Sequence, residues 1–388
     1  MKPSFSPAFA LQFAVPAVAV PYLSILLRGL GYGPAWVGIL LGVSSAAGIA
    51  GPFAFGYWAD RSGSYRRALI LSSALPALVA LPLALFVHPA LSIAFVALQS
   101  VGMRSAMSLL DSVTTIHAAN YGRIRFWGSV GFIAVSMLLQ MTPILRPDTA
   151  VNIAVWIAVA SAASVLPLVL LPKPMLATHS GPRIAAESRE TGIPLLSLHV
   201  VCGMAMVFAV SFSMSAIYGF FPLYLTEILE WNVVGLMFSI GTLSELPFLF
   251  VSTLLVRRFG ALPLMAVSAA GTAIRLLILA FLPFGPFVLV SQMFHALSFG
   301  TFHPAMVFFI AGIFPPHRRG VGMSLFVALG TGLPALIGNA AGGAILEAAG
   351  VEASAFRLLF AVYAAVSGLG VLAFAAMRLR RSGNRRLK

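Results

Sequence analysis

Gly56-Tyr57-Trp58-Ala59-Asp60-Arg61-Ser62-Gly63-Ser64-Tyr65-Arg66-Arg67 is a short charged interruption between two apolar runs, residues 35–58 and 68–87. Each run is about 20 residues or longer, the length a helix needs to cross the hydrocarbon core of a bilayer. Near the end of the first run, Gly56 leaves room for a neighbouring backbone. Asp60 is placed to accept hydrogen bonds from helix-end amides or from an arginine. Arg61, Arg66 and Arg67 fall where lipid headgroups begin. The stretch reads as the turn between two spanning helices.

The same alternation of long apolar runs and short polar breaks extends over the whole chain. Runs at 5–27, 35–58, 68–87, 90–118, 126–145, 150–171, 198–226, 233–256, 262–282, 286–314, 321–346 and 353–377 predict twelve spans. Of the 388 residues, 60% are hydrophobic and 9% charged, with mean hydropathy +0.99. A soluble globular chain carries about 25% charged residues, so the chain reads as a polytopic membrane protein. Spanning segments must be helices or closed barrels, and continuous rather than alternating runs select helices. The expected fold class is an all-α membrane protein of twelve transmembrane helices. No small-residue cleavage site follows the first run, so it reads as a retained helix.

Net charge is +14. Its placement argues for membrane topology rather than nucleic-acid binding. With twelve spans, all Lys and Arg fall on the side of the termini except Arg28, Arg146 and Arg357, and the intramembrane Arg104 and Arg275. The positive-inside rule then puts both termini in the cytoplasm. The basic tail, 378–388, is placed to touch anionic lipid. The polar, proline-containing break at 172–195 separates a first half, 1–171, from a second, 196–377. Gly38, Asp60 and Gly63 are echoed 197 residues later by Gly235, Arg257 and Gly260, which suggests a six-plus-six duplication.

Several function classes drop out. The single cysteine, Cys202, excludes an internal disulfide framework and any multi-cysteine metal site. The only lysines are Lys2, Lys173 and Lys388, and none follows glycine, so there is no Walker loop. There is no His-Glu-x-x-His and no nucleophile elbow. The chain is read as no enzyme, with no cofactor and no resident metal.

What remains is a set of ionisable residues inside the spans: Arg104 and Asp111 in the fourth, Glu245 in the eighth, Arg275 in the ninth, and His295 and His303 in the tenth. Arg125 stands at the mouth of the fifth. A charge at mid-membrane costs about 2.5–3.5 kcal/mol on insertion scales, and such residues mark solute or ion pathways. Arg104 and Asp111 are two turns apart on one face. Gln292 and Ser298 flank His295 one turn either side. Glu227 and Glu230, at the end of the seventh span, read as solvated. A carboxylate that gains and loses an arginine partner between two conformations can take up and release a proton. Glu245 and Asp111 are the candidate proton carriers, and Arg275 or Arg104 the candidate for a solute carboxylate.

Residues 56–67 resemble the signature loop of the major facilitator superfamily, Gly-x-x-x-Asp-Arg-x-Gly followed by basic residues, with one extra residue before the arginine pair. The resemblance implies two pseudo-symmetric six-helix halves around a central cavity. It gives Gly56, Asp60 and Arg61 to a gate that latches the halves. A second resemblance is more specific. Leu110-Asp111-Ser112 with Tyr121-Gly-Arg-Ile-Arg125-Phe-Trp-Gly-Ser-Val-Gly-Phe132, Tyr218-Gly-Phe220, and Gln292-Met-Phe-His295-Ala-Leu-Ser-Phe-Gly-Thr-Phe-His303 resemble the phenylpropionate permease group. That group is related to the lactose permease and to nucleoside–proton symporters. The resemblance implies that Glu245, Arg275 and His295 serve substrate binding and proton coupling, and that Arg125 binds substrate. The lactose permease branch carries a carboxylate one turn after the helix 10 histidine, where this chain has Ser298. Arg104 matches nothing in the group's pattern.

The expected function is secondary active transport of a small organic solute by alternating access, as proton-coupled uptake of an aromatic monocarboxylate such as a phenylpropionate-like acid. Nucleoside or sugar symport, or multidrug efflux, are the alternatives. The expected partners are the solute, protons and the lipid bilayer. A multi-pass monomer in a bacterial inner membrane is expected.

Overall fold

The computed structural model describes residues 5–117, 121–172, 176, 197–282, 285–314 and 327–386. Twelve helices among them are long and apolar enough to cross a membrane. They are α1 (Ser6–Gly29), α2 (Pro34–Ser62), α3 (Tyr65–Leu85), α4 (Pro89–His117), α5 (Tyr121–Met141), α6 (Ala150–Leu170), α7 (Leu198–Ile228), α8 (Val234–Phe259), α9 (Ala261–Phe281), α10 (285–313), α11 (327–349) and α12 (Ala353–Arg386). The chain is an all-helical, multi-pass membrane protein. Most of the break at 172–195, the start of the eleventh expected span and the basic residues Lys2, Lys173, Arg183, Arg189, Arg318, Arg319 and Lys388 lie outside the described residues.

Among the described residues, four helix ends lie more than three residues from the expected ones, including the end of α2 at Ser62 rather than 58 and the start of α5 at Tyr121 rather than 126. Helix α5 stops at Met141, and Pro143–Leu145 form a single 3-10 turn rather than more helix. Proline lacks the amide needed to continue the ladder. Helix α12 runs on to Arg386, past the expected end of the span at 377. Arginine and leucine are good helix formers, and nothing before Gly383 interrupts them.

The chain packs as two compact units, Met1–Arg183 with Tyr218–Ser239, and Ile184–Ile217 with Ile240–Lys388. In the first unit α1 packs on α5 and α6, α3 on α4 and α6, and α2 on α4. Apolar burial does not drive helices together in lipid, so close backbone approach at small residues must do so. A Cβ on Gly51 of α2 would lie 2.7 Å from the Val101 carbonyl oxygen of α4. One on Gly102 of α4 would lie 2.7 Å from the Ser72 carbonyl oxygen of α3. In the second unit α9 and α12 pack together and both contact α7. Gly338 of α11 sits hard against Ser215 and Phe212 of α7, the close packing its spacing with Gly342 predicts.

The turn at 63–64, between α2 and α3, shows why the charged interruption is compact. Gly63 takes φ +67°, and its amide and that of Ser64 donate to the Asp60 and Ala59 carbonyls at 3.4 and 3.3 Å. Only glycine adopts that left-handed conformation at no steric cost. The Ser64 hydroxyl then caps α3 by accepting from the Arg66 amide. The Arg66 guanidinium donates to the Val169 and Leu171 carbonyls at the end of α6, at 2.8 and 3.2 Å. Phe5, Phe9, Ala59, Tyr65, Leu69, Leu109 and Leu168 form the apolar cluster of this region. Gly260, between α8 and α9, also takes a positive φ, +85°.

The end of α7 overturns one expectation. Glu227 is not a solvated helix-end carboxylate. Arg28 of α1 grips it with two parallel hydrogen bonds, Nε to Oε1 at 2.9 Å and Nη2 to Oε2 at 3.2 Å, while Nη1 donates to the Tyr32 carbonyl at 3.1 Å. Beside it Asn232 donates to Asp148 at 2.8 Å, and Gln140 donates to the Asn232 carbonyl at 2.6 Å. The Arg28 and Glu227 side chains are 28% and 27% exposed, so solvent screens the pair in part. Exposed pairs contribute 1 kcal/mol or less, and charge-assisted bonds up to about 3. Arg28→Gln is expected to cost roughly 1–2 kcal/mol, between those limits. Thermal unfolding of the purified variant checks this; an unchanged midpoint means the pair contributes nothing.

Candidate functional site

The first unit holds three of the residues singled out in the sequence. Arg125, near the start of α5, reaches Asp111 of α4 with Nε 3.6 Å from Oδ1. Its guanidinium lies over the Phe13 ring of α1, 4.1 Å from the centroid. The side chains of Arg125 and Asp111 are 33% and 39% exposed, so each keeps a wet face. Phe13 escaped the sequence reading because nothing local distinguishes it from the other phenylalanines; only the packing of α1 on α5 reveals it. Gly128 lies beside this stack, where a Cβ would be 2.8 Å from the Phe13 ring.

Arg104 stands apart. It lies on the same helix as Asp111 but is not its partner, because Asp111 turns to Arg125. The Arg104 side chain is exposed, and among the described residues no carboxylate lies within ion-pairing distance of it. Its stem crosses Gly48 of α2 so closely that a Cβ there would strike the Cδ and Nε atoms. The nearby Ser100 hydroxyl donates to the Ser44 carbonyl at 2.6 Å.

The second unit holds a buried charge relay built from three helices. Glu245 of α8, Arg275 of α9 and His295 of α10 are 8%, 2% and 9% exposed. Arg275 Nη1 is 3.1 Å from His295 Nδ1, and Nη2 donates to the Gln292 side-chain oxygen. His295 Nε2 faces Glu245 Oε2 at 3.4 Å. A guanidinium only donates, so Nδ1 of His295 accepts from Arg275 and the imidazole proton sits on Nε2, toward Glu245. Gln292 is held in turn by its own donation to Ser291 at 2.9 Å. The His295 ring stacks on Phe299 at 5.5 Å, and Phe299 stacks on His303 at 6.0 Å.

Local backbone places this relay. Immediately after His295 the helix widens into a π turn, Ala296–Gly300. Such turns insert one residue and rotate the remainder of the helix, and they recur at functional sites. Gly300 admits Glu245 and Phe248, whose Cβ atoms would lie 3.4 and 3.2 Å from a side chain at that position. Ser298 does not stand in for a carboxylate. It is 1% exposed, and its carbonyl accepts from Ser268 of α9 at 2.7 Å. It fastens α10 to α9.

The signature-loop residues show a different pattern. Asp60 and Arg61 are exposed, and Arg61 donates to the Tyr57 hydroxyl at 3.0 Å. A Cβ on Gly56 would meet nothing within 4 Å. Among the described residues, the close backbone approach expected there is therefore absent from this conformation.

Known proteins resemble the chain over most of its length. Residues 4–358 match the family model described as MFS_1 like family. The maltose permease of Geobacillus stearothermophilus is 28% identical over 291 residues, covering 72% of this chain and 71% of that protein. The probable 3-phenylpropionic acid transporter of Escherichia coli K12 is 25% identical over 303 residues, covering 76% and 78%. Among solved structures, the nucleoside transporter NupG superposes with a TM-score of 0.76 at 19% identity, over 95% of this chain and 97% of that one. The inward-open xylose transporter XylE from Escherichia coli gives 0.70 at 16% identity, over 96% and 94%. These structural likenesses concern the fold.

Proposed function

On the premise that the chain belongs to the MFS_1 like family, as the match over residues 4–358 establishes, we propose that it takes up an aromatic monocarboxylate in symport with protons. It is a secondary transporter of the major facilitator type and not an enzyme. On this proposal it sits in a bacterial inner membrane with both termini cytoplasmic, working by alternating access of its two six-helix halves.

The buried Glu245–His295–Arg275 relay is the observation that carries the coupling. Carboxylate, imidazole and guanidinium balance one another in a site nearly closed to solvent. A second proton on His295 would have to enter at Nδ1, where it would set one N–H against another from Arg275. Glu245 is the group that can take the proton without that conflict. Neutralising it removes the negative charge opposite Arg275 and loosens the link between α8 and α10. A conformational change tied to that loosening is a coupled step. Asp111 with Arg125 is the secondary candidate.

The monocarboxylate reading draws support from Arg104, an arginine in a spanning helix with no carboxylate in ion-pairing distance among the described residues, and from the name of the Escherichia coli relative. The similarity to a maltose permease keeps a sugar as the second reading, and the shape shared with a nucleoside transporter keeps a nucleoside.

Purified protein in liposomes with an alkaline interior tests the reading directly. Labelled 3-phenylpropionate is expected to accumulate, unmodified, well above the level in protein-free liposomes. That baseline matters because weak acids distribute into alkaline interiors unaided. A protonophore is expected to abolish the excess. Accumulation of maltose or uridine in its place would replace the substrate assignment. Insensitivity to the protonophore would reject proton coupling.

A further inference from the structure

We propose that Arg104 is the receptor for the solute's carboxylate and determines that the transporter carries anions. The inference rests on the transport reading and deepens it.

Two of the arginines implicated in the sequence are engaged by the protein itself. Arg275 is 2% exposed and gives its donors to His295 and Gln292. Arg125 faces Asp111 and covers the Phe13 ring. Arg104 alone of the three is exposed and has no carboxylate within ion-pairing distance among the described residues. It nevertheless sits in the middle of α4, a membrane-spanning helix. An uncompensated cation at that depth is costly and faces protein or water rather than hydrocarbon.

The surroundings of Arg104 are built for presentation. The stem lies along the α2 backbone at Gly48, where any side chain would displace it. The Ser100 hydroxyl beside it gives its proton to the Ser44 carbonyl and does not compete as a donor. The Tyr218 hydroxyl on α7 is the titratable group within electrostatic range of the guanidinium. An arginine held this way presents a planar fork of N–H donors that matches a carboxylate with two parallel bonds. Asp111, two turns along α4, is occupied by Arg125 and leaves the fork to the solute.

The test compares 3-phenylpropionate with its neutral amide, 3-phenylpropionamide, as ligands of purified protein, by thermal stabilisation without any proton gradient. Arg104→Gln is expected to weaken binding of the acid by roughly 10- to 100-fold, the loss of a bidentate charged contact. Binding of the amide is expected to change by less than about twofold, so the two ligands converge. Arg104→Lys is expected to restore part of the preference for the acid, because it keeps the charge and loses the fork. Gly48→Ala, which leaves Arg104 in place but moves it, is expected to weaken the acid selectively. It serves as the decisive variant if Arg104→Gln does not fold.

Acid binding by Arg104→Gln or Gly48→Ala as tight as in the parent protein overturns the assignment and leaves transport standing. Failure of the parent protein to bind any carboxylate overturns it too. Selective loss of the acid, together with uptake indifferent to a protonophore, would instead uphold Arg104 and defeat only the coupling.

Discussion

Glu245→Gln abolishes proton-driven accumulation while internal and external solute still exchange: that is the expected result with the largest effect on transport. Glutamine keeps the shape of the side chain and can still meet the His295 N–H through its carbonyl oxygen. It cannot pick up and release a proton. Accumulation in liposomes carrying an imposed pH gradient should fall to the protein-free level, a loss of the whole uphill component. Exchange of preloaded for external solute, which needs no net proton movement, should continue within a few fold. The two assays on one preparation separate a coupling defect from a folding defect, because a misfolded protein does neither. Uphill accumulation at the parent rate would remove Glu245 from the coupling step. It would pass the role to Asp111, the other candidate carboxylate, which lies 3.6 Å from Arg125 in the first unit.

The relay also explains what the sequence could and could not convey. Apolar run length determines where spans lie, because helices must satisfy their own backbone in lipid. The described residues of the twelve expected spans are accordingly helical apart from span ends, such as 86–87 after α3 and 142–145 after α5, and single-residue breaks inside α10 at 294 and 301. Ionisable residues inside those runs were legible as functional candidates for the same reason, since each is too costly to keep idle. Pairing was not legible. Arg104 and Asp111 share a helix face, and sequence spacing left them as partners or as independent residues. Asp111 in fact turns to α5, which helix packing decides. Arg28 and Glu227 lie 199 residues apart, and nothing in either neighbourhood announces the other. The widened turn after His295 has no composition signal in Ala296–Gly300, yet it helps set where His295 sits. The role of Ser298 was equally hidden. Its departure from the family pattern was visible, but its attachment to α9 through Ser268 is a matter of tertiary contact.

Arg275→Ala is expected to lower stability by about 3–5 kcal/mol and to impair every solute alike, acid or neutral. The sequence placed Arg275 among residues that bind a solute carboxylate. Its position among His295, Gln292 and Glu245 makes it instead the cation that holds the relay together. Removing it leaves the His295 Nδ1 and the Gln292 oxygen without their donor and takes away the cation on the far side of His295 from Glu245, itself buried at 8% exposure, and that loss is the source of the cost. The combined variant, Arg275→Ala with Glu245→Gln, removes both charges together and should recover much of the lost stability, since the two sites act through one network. Thermal unfolding of the parent, both single variants and the pair measures that recovery. Additive losses would mean the two side chains do not share a network. Solute selectivity gives an independent reading from the same proteins: a ratio of 3-phenylpropionate to 3-phenylpropionamide binding that collapses in Arg275→Ala would return the solute carboxylate to Arg275 and take it from Arg104. A ratio that holds while both affinities fall assigns Arg275 to the coupling machinery and leaves anion selection to the exposed cation on α4.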